Sequence, residues 1–227
     1  MFLSELTLNS RHRGTYRLLA DIYAQHRFVM SAFPDEGDAD NEEGARSRDG
    51  VLYRIDAMAD GRLKALVQSS VEPDWSRTGA RHPGVICQER QARDRREFCA
   101  GETYRFRLRA NPTICRVNRD EAGLPHPKRE GVFTETGQLE WLARAAERNG
   151  FAVDTEAVLV TPLGKREGFK PSDRPGGRHQ AITAYAVDFD GKLTVREPDQ
   201  FAHAVRDGIG RAKAWGCGLL SVIATAR

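Results

Sequence analysis

Apolar residues near the start of the chain recur first with a period of two and then with a period of about 3.6. Residues 2–8 alternate apolar and polar side chains, which predicts a strand. Residues 15–33 predict one helix, because apolar and aromatic side chains recur along a single face and a proline follows. The predicted inward stripe consists of Leu19, Ile22, Tyr23, His26, Met30 and Phe33.

Two more strands and an irregular region complete the N-terminal part. Residues 51–57 and 62–69 predict strands that a turn at Asp60-Gly61 joins into a hairpin. The acidic stretch at 35–50 predicts a surface loop. Residues 73–100 are rich in proline, glycine and arginine, so we expect irregular chain with at most a short helix. The order so far is β-α-β-β.

A second series of elements begins with an arginine-rich strand. Residues 103–110 alternate arginine with apolar residues, which predicts a strand with one face in the core and one basic face. A polar loop at 112–133 and a helix at 135–149 should follow. The residues predicted to face inward from this helix are Leu139, Leu142, Ala143 and Ala146.

The rest of the chain predicts a second complete β-α-β-β-α-β series. The expected elements are strands at 151–161, 180–187 and 193–195, a helix at 199–205 and a buried strand at 219–223. A turn at Asp190-Gly191 is expected to lead into the 193–195 strand. We therefore expect an α+β protein of two tandem ferredoxin-like (RRM-like) domains with antiparallel sheets, at residues 1–100 and 101–227.

Charge is distributed unevenly along the chain, although the formal net charge is only +3. Acidic residues concentrate at 35–43, so the rest of the surface is basic and suits a polyanion. For any single arginine cluster, the alternative to a polyanion-binding surface is an ordinary solvated face. The basic clusters are Arg11-His12-Arg13, residues 90–96, Lys128-Arg129, Lys165-Arg166 and Arg211-Ala-Lys213.

Cysteine spacing and hydropathy exclude several classes of protein. The four cysteines form neither a CxxC pair nor a Cys/His zinc pattern, so we expect reduced and mostly buried thiols, without metal or cofactor. The N-terminus lacks signal-peptide features, and the longest apolar stretch, 219–224, is too short to cross a bilayer. We expect a cytoplasmic protein without a membrane partner.

Residues 208–218 form the strongest local motif, with glycine at 208, 210, 216 and 218. Glycines allow positive φ and close approach of another molecule. Consecutive N–H groups there could hold a phosphate, with Arg211 and Lys213 adding charge. The motif fits neither GxGxxG nor the P-loop, and a tight turn before a core strand remains an equal alternative. We name residues 208–218 the glycine loop.

His26 is the second candidate for chemistry. A histidine on an apolar stripe is commonly a core residue, and that alternative stays open. Tyr23 lies one turn earlier, Arg27 is adjacent, and Arg11 and Arg13 precede the helix. RNA cleavage by its own 2′-hydroxyl needs a base, an acid and positive charge near the phosphate, and an imidazole can be either at neutral pH. This chemistry needs no metal.

Several segments resemble one known family. The chain resembles the CRISPR-associated endoribonucleases of type I-E systems, the CasE family. The segments that carry the resemblance keep the family's order along the chain. They are Met-Phe-Leu-Ser-Glu-Leu-Thr-Leu at the start, Leu19-Ala-Asp-Ile-Tyr-Ala-Gln-His-Arg27, Phe106-Arg-Leu-Arg-Ala-Asn-Pro112, Gln138-Leu-Glu-Trp-Leu142 and Gly208-Ile-Gly-Arg-Ala-Lys-Ala-Trp-Gly-Cys-Gly-Leu-Leu220.

The resemblance implies two ferredoxin-like domains and a specific reaction. Members bind the stem-loop of each CRISPR repeat in precursor crRNA and cut at the 3′ base of the stem without metal. The product carries a 2′,3′-cyclic phosphate or its opened form. Members stay bound to the crRNA beside the other Cascade subunits. The family's catalytic histidine and tyrosine match His26 and Tyr23, and its glycine-rich loop matches 208–218.

The resemblance also implies an RNA-binding hairpin in the second domain. By position this is the loop from Gly164 to Arg178. Its expected RNA contacts are Lys165, Arg166, Lys170 and Arg178. The free protein is expected to be a monomer in the cytoplasm of a prokaryote. The alternatives are a subunit that holds guide RNA without cutting it, and a scaffold subunit that contacts only protein or DNA.

Overall fold

The computed structural model describes residues 1–34, 49–94, 96–119, 125–172 and 177–225. The first sheet is antiparallel, and its strands are β1 (Phe2–Leu8), β2 (Leu52–Ala57), β3 (Leu63–Ser69) and β4 (Ile86–Arg93). These strands lie side by side in the order β2-β3-β1-β4. Its helices are α1 (Arg13–Ala20), α2 (Ile22–Met30) and α3 (Trp75–Arg81).

The second sheet is also antiparallel, and its strands are β5 (Thr103–Ala110), β8 (Phe151–Val153), β9 (Leu159–Lys170), β10 (Gln180–Val195) and β11 (Leu220–Ala224). Their order is β11-β5-β10-β8, with β9 also paired to β10. A separate hairpin contains β6 (Thr113–Arg119) and β7 (Pro125–Gly131), and the helices are α4 (Glu135–Arg148) and α5 (Pro198–Asp207). Both sheets are antiparallel and have helices between their strands, which confirms the predicted α+β class. The domain boundary at residues 100 and 101 stays a prediction.

The predicted helix at 15–33 is wrong in one respect, because it is two helices. Asp21 has extended backbone, with φ −138°, and its carboxylate accepts hydrogen bonds from the N–H groups of Tyr23 (2.8 Å) and Ala24 (3.3 Å). An aspartate in this position caps a new helix, so α1 ends and α2 begins there. Leu19 consequently lies on the surface, 36% exposed, rather than on an inward stripe.

The predictions for the polar regions missed three strands. Residues 73–100 contain the expected short helix but also β4, which pairs with β1 from Phe2↔Arg93 to Leu8↔Ile86. Seven of its eight residues are exposed, so no apolar alternation marks it. The polar loop predicted at 112–133 is instead the β6–β7 hairpin. Residues 35–48 of the acidic loop lie outside the described residues.

The second domain departs from the sequence predictions in three further places. The turn predicted at Asp190-Gly191 is wrong, because β10 continues through it and Gly191 pairs with Phe106. A Cβ on Gly191 would lie 3.2 Å from the Phe106 ring, so this glycine allows close packing. A 3-10 turn at Thr155–Ala157 interrupts the strand predicted at 151–161. On α4, Ala143 is exposed, and Trp141 and Ala145 are buried instead.

One arm of the second sheet extends toward the first domain. The hairpin arm consists of residues 164–170 of β9 and 180–186 of β10, paired from Gly164↔Ala186 to Lys170↔Gln180. Pairing between β5 and β10 stops at Ala110↔Val187, so the arm projects past β5. The predicted 164–178 loop is therefore a strand as far as Lys170, and its residues 173–176 lie outside the described residues.

The two sheets meet through buried charges rather than through a continuous apolar core. Arg109 donates to both carboxylate oxygens of Asp188 (2.7 and 2.8 Å), to Asp56 (2.8 Å) and to the Ile55 carbonyl (2.8 Å). Arg54 also donates to Asp56, at 2.7 Å. The expected basic face of β5 is thus partly neutralised, and we name Arg54, Asp56, Arg109 and Asp188 the ionic contact.

The cysteines differ from the expectation of mostly buried thiols. Only Cys217 is buried, whereas Cys87, Cys99 and Cys115 are exposed. Burial raises the pKa of Cys217 to about 12.

In the described part of the chain, no helix has the length and apolar composition needed to cross a bilayer.

Candidate active site

Tyr23 and His26 of α2 both face the same aromatic residue of the glycine loop. The His26 ring lies edge-on to Trp215, with centroids 5.4 Å apart, and the Tyr23 ring lies 6.4 Å from Trp215. Residues one turn apart on a helix share a face, which explains why the two rings reach one partner. Only 2% of His26 is exposed, and Tyr23 is half-buried.

The glycine loop presents Trp215 through a sharp local turn. A 3-10 turn, Lys213–Trp215, is flanked by Ala212 at φ 60° and Gly216 at φ 78°. Left-handed backbone of this kind favours glycine, and it reverses the chain on both sides of the indole. The N–H of Ile209 donates to the Gly218 carbonyl at 2.9 Å and closes the base of the loop.

The first domain holds the glycine loop in place from β2 and β3. The Tyr53 hydroxyl donates to the carbonyl of Ala214 (3.0 Å), beside Trp215. Gln68 donates to the Val205 carbonyl (2.8 Å), near the end of α5 where the loop starts. Leu52 packs so closely on Gly208 that a Cβ there would lie 2.8 Å from it. The loop therefore belongs to the second domain in sequence and is fixed by the first.

The hairpin arm holds α2 from the other side. Arg166 donates to Gln25 Oε1 at 2.8 Å, and Gln25 is buried beside His26. A Cβ on Gly168 would lie 2.7 Å from both Asp21 Oδ1 and the Tyr23 backbone nitrogen, so only glycine allows this approach. Burial, with Arg109 nearby, lowers the pKa of Arg166 from its ordinary value.

The structure places the predicted RNA-binding cations in different regions. Arg27 is exposed on α2 beside His26. Arg11 and Arg13, also exposed, follow β1 at the end where Leu8 pairs with Leu63, whereas the loop contacts the opposite end of that sheet through Tyr53. The structure therefore does not bring Arg11 and Arg13 together with the two candidate catalytic rings.

The remaining predicted cations lie on the hairpin arm and the glycine loop. Lys165 is exposed and forms an ion pair with Glu167 (2.5 Å), whereas Arg166 is turned toward α2. Lys170 ends β9, and Arg178 is exposed just before β10. Lys213 donates to the Asp207 carbonyl at 2.7 Å. Arg211 is exposed at the loop surface, as are Gly210 and the positive-φ backbone around it.

Three residues at this site were missed from the sequence. Trp215 contacts both candidate catalytic rings, Tyr53 anchors the loop, and Gln25 links α2 to the arm. The available signal was a tryptophan between glycines in an otherwise small and polar loop. Among the described residues, no group of three or more His, Cys, Asp or Glu is placed to hold a metal ion.

Comparison with known proteins identifies the family. A family model described as "CRISPR associated protein" matches residues 1–224. The CRISPR-associated endoribonuclease Cse3 of Thermus thermophilus is 31% identical over 229 residues, which cover 98% of this chain and 99% of that protein. The chain belongs to this family of CRISPR-associated endoribonucleases. The resemblance stated from the sequence is thus confirmed.

Two further comparisons extend the family match to a subunit and to a structure. The Cascade subunit CasE of Escherichia coli is 28% identical over 206 residues, 89% of this chain and 92% of that protein. A solved structure of the family member Cse3 bound to a 19-nucleotide RNA superposes with a TM-score of 0.73. It is 30% identical, with 98% of this chain and 100% of that chain covered. The double ferredoxin-like fold predicted for the family is therefore confirmed.

Proposed function

We propose that this chain binds the stem-loop of a CRISPR repeat in precursor crRNA and cleaves it at the 3′ base of the stem without a metal ion. The observation that carries the proposal is the meeting of Tyr23, His26 and Trp215 at the junction of the two domains. The named activity of Cse3 and its RNA-bound structure support the same substrate class.

The chemistry is transfer of the phosphoryl group to the neighbouring hydroxyl of the RNA. The 2′-oxygen forms a bond to phosphorus as it loses its proton, and the bond from phosphorus to the 5′-oxygen breaks. His26 and Tyr23 supply the base and the acid of these two proton transfers. The products are a 2′,3′-cyclic phosphate and a free 5′-hydroxyl, so protons and bonds balance without a co-reactant.

RNA must open the aromatic contact before the reaction, because only 2% of His26 is exposed in this structure. Unliganded active sites commonly lack their final geometry, and ring contacts of this kind contribute only about 0.5–1.5 kcal/mol. Displacement of Trp215 by a bound nucleotide would expose the imidazole at a cost that phosphate binding can offset. We therefore place the cleaved phosphate between α2 and the glycine loop.

RNA recognition depends on cations that bind phosphates on both sides of the cleaved bond. We assign that role to Arg27 on α2, to Lys165, Lys170 and Arg178 on the hairpin arm, and to Arg211 in the glycine loop. An A-form stem has a major groove that side chains normally cannot read, so shape and phosphates dominate. We propose that the protein then stays bound to the crRNA with other Cascade subunits, as the name of the E. coli relative indicates for that protein.

Replacement of His26 tests the proposal directly. We expect His26→Ala and the bulkier His26→Gln to slow cleavage of a repeat hairpin in EDTA by about 10²–10⁴-fold, with hairpin affinity retained. His203→Ala is the matched control, because that imidazole is exposed on α5 and pairs with Asp207. Unchanged cleavage in both His26 variants would remove His26 from the mechanism.

A modified substrate separates cleavage from binding. A hairpin with a 2′-deoxy sugar before the cut should bind with the affinity of the RNA and stay intact, because the attacking oxygen is missing. If the wild-type protein binds the unmodified hairpin and leaves it intact in EDTA, the chain holds guide RNA without cutting it under these conditions. If it shows no preference for a hairpin over scrambled single strands, it is a scaffold subunit.

A further inference from the structure

A polar cavity of about 400 Å³ lies beside the glycine loop, at the half that does not carry Trp215. Its walls come from α4, β7, the start of β6 and residues 209–211. The lining includes three arginines and no acidic residue. The residues that matter for the argument are Asn111, Arg129, Trp141, Arg148, Gly210 and Arg211.

The three arginines of this cavity have no acidic partner within the described ranges. The nearest acid along β7 is Glu130, which lies 3.5 Å from Arg116 and 3.8 Å from Lys128 instead. Arg129, Arg148 and Arg211 are all exposed, and none is ion-paired in those ranges. Three guanidinium groups around one cavity are therefore available for an anion.

The cavity has a rigid floor that depends on glycine. Gly210 has φ +83°, and a Cβ on it would lie 3.1 Å from the Trp141 ring. Trp141 is stacked on Phe189 of β10 at 6.1 Å, so the indole is held in place. Glycine brings the backbone onto the indole and leaves the mouth of the cavity open, which is how a loop admits a bulky anion.

The C-terminus of α4 is the one feature of the cavity that opposes an anion. A helix C-terminus carries about half a negative charge. Its last carbonyls are already engaged, since Arg148 Nε donates to the Arg144 carbonyl (3.1 Å) and Asn149 Nδ2 to the Ala145 carbonyl (2.6 Å). Three arginine charges outweigh this half charge, so the cavity remains positive.

We propose that this arginine cavity binds a backbone phosphate of the RNA, a few nucleotides from the cleaved bond. The proposal rests on the proposed function. Gly210 and Trp215 belong to one loop, and five residues span at most about 17 Å, so one RNA strand can reach both. A planar guanidinium group can bind two oxygens of one phosphate at once. Because the cavity and the proposed cleavage site share the glycine loop, RNA is a better match than an acidic protein surface.

The test measures RNA binding at several salt concentrations. The double variant Arg129→Gln/Arg148→Gln should bind the 2′-deoxy repeat hairpin about 10-fold more weakly at low salt. The slope of log affinity against log salt should fall by about 1, as expected for one lost phosphate contact. Cleavage at saturating protein should approach the wild-type rate, because the cavity positions RNA and does not touch the reacting atoms.

The matched control is Arg116→Gln/Arg144→Gln. It removes the same charge from the same hairpin and helix, at arginines paired with Glu130 and Glu140. If both double variants give the same affinity and salt slope, the cavity does not bind RNA, and an acidic protein partner becomes the better assignment. The proposed function fails separately, if the wild-type protein neither binds nor cleaves the hairpin.

Discussion

The two domains meet at two places with opposite chemistry. In the ionic contact, Arg109 donates to Asp188 and Asp56, and all four charged side chains are at least 87% shielded from solvent. At the candidate active site, the domains meet through the rings of His26 and Trp215. Under the proposed function the difference separates two tasks, since the ionic contact fixes the domains and the aromatic contact would open for RNA.

The usual magnitudes of such contacts support this separation. Removing one partner from a buried ion pair commonly costs about 3–5 kcal/mol, because the other charge remains buried. An aromatic pair contributes about 0.5–1.5 kcal/mol beyond its buried area. We therefore expect substitutions at the ionic contact to change the free energy of unfolding, and substitutions around α2 to change cleavage.

Arg109→Ala should have the largest effect on stability. It leaves Asp188 and Asp56 buried without their shared partner, so we expect the free energy of unfolding to fall by about 3–5 kcal/mol in denaturant titrations. Arg107→Ala is the control, because its partner Asp190 lies at 2.6 Å but the Arg107 side chain is 43% exposed, and exposed pairs contribute about 0–1 kcal/mol. Equal losses in the two variants would contradict the role given to the ionic contact.

Gly168→Ala should mainly affect cleavage. The new methyl would overlap the Asp21 carboxylate and the Tyr23 backbone nitrogen, so α2 must move away from the hairpin arm. A displacement of about 1 Å can cost about 10²-fold in rate, equivalent to about 2.7 kcal/mol. Single-turnover cleavage measures it, with Gly79→Ala as control, since a Cβ on Gly79 meets nothing within 4 Å. Wild-type cleavage in Gly168→Ala would show that this approach does not position the rings.

Tyr53→Phe should have the smallest effect. It removes a buried hydrogen bond to the Ala214 carbonyl, so we expect a loss of about 0.5–1.5 kcal/mol in unfolding free energy. The cleavage rate should fall by less than about 10-fold, because Trp215 keeps its other contacts. Tyr16→Phe provides the comparison, as Tyr16 is 63% exposed. A larger rate loss would make the loop anchor as important as the hairpin arm.

The elements with regular apolar spacing were predictable from the sequence, and the others were not. The strands β1 and β5 and the helices α4 and α5 carry such spacing. In β4 and in the β6–β7 hairpin most described side chains face solvent. The strands are therefore paired without any alternation of apolar and polar residues in the sequence. Asp21 broke a helix that periodicity alone predicted as continuous, because a cap is a local hydrogen bond rather than a spacing.

Candidate site residues could be proposed from the sequence only where a residue type carries its own chemistry. His26 and Tyr23 were proposed from the reactivity of their side chains, and the glycine loop from its composition. Trp215 and Gln25 act through contacts with residues that are distant in sequence, which no local pattern reveals. Gly191 misled the prediction in another way. The Asp190-Gly191 pair suggested a turn, whereas the glycine is there because close packing against Phe106 leaves no room for a side chain.

The long sequence separation between His26 and Trp215 has a consequence for synthesis of the protein. During translation α2 leaves the ribosome early, whereas the indole that it faces emerges only after both sheets are nearly complete. Contacts between distant residues also form slowly during folding. A nascent chain would therefore expose its imidazole without the loop opposite it, and the proposed cleavage would await synthesis of the glycine loop.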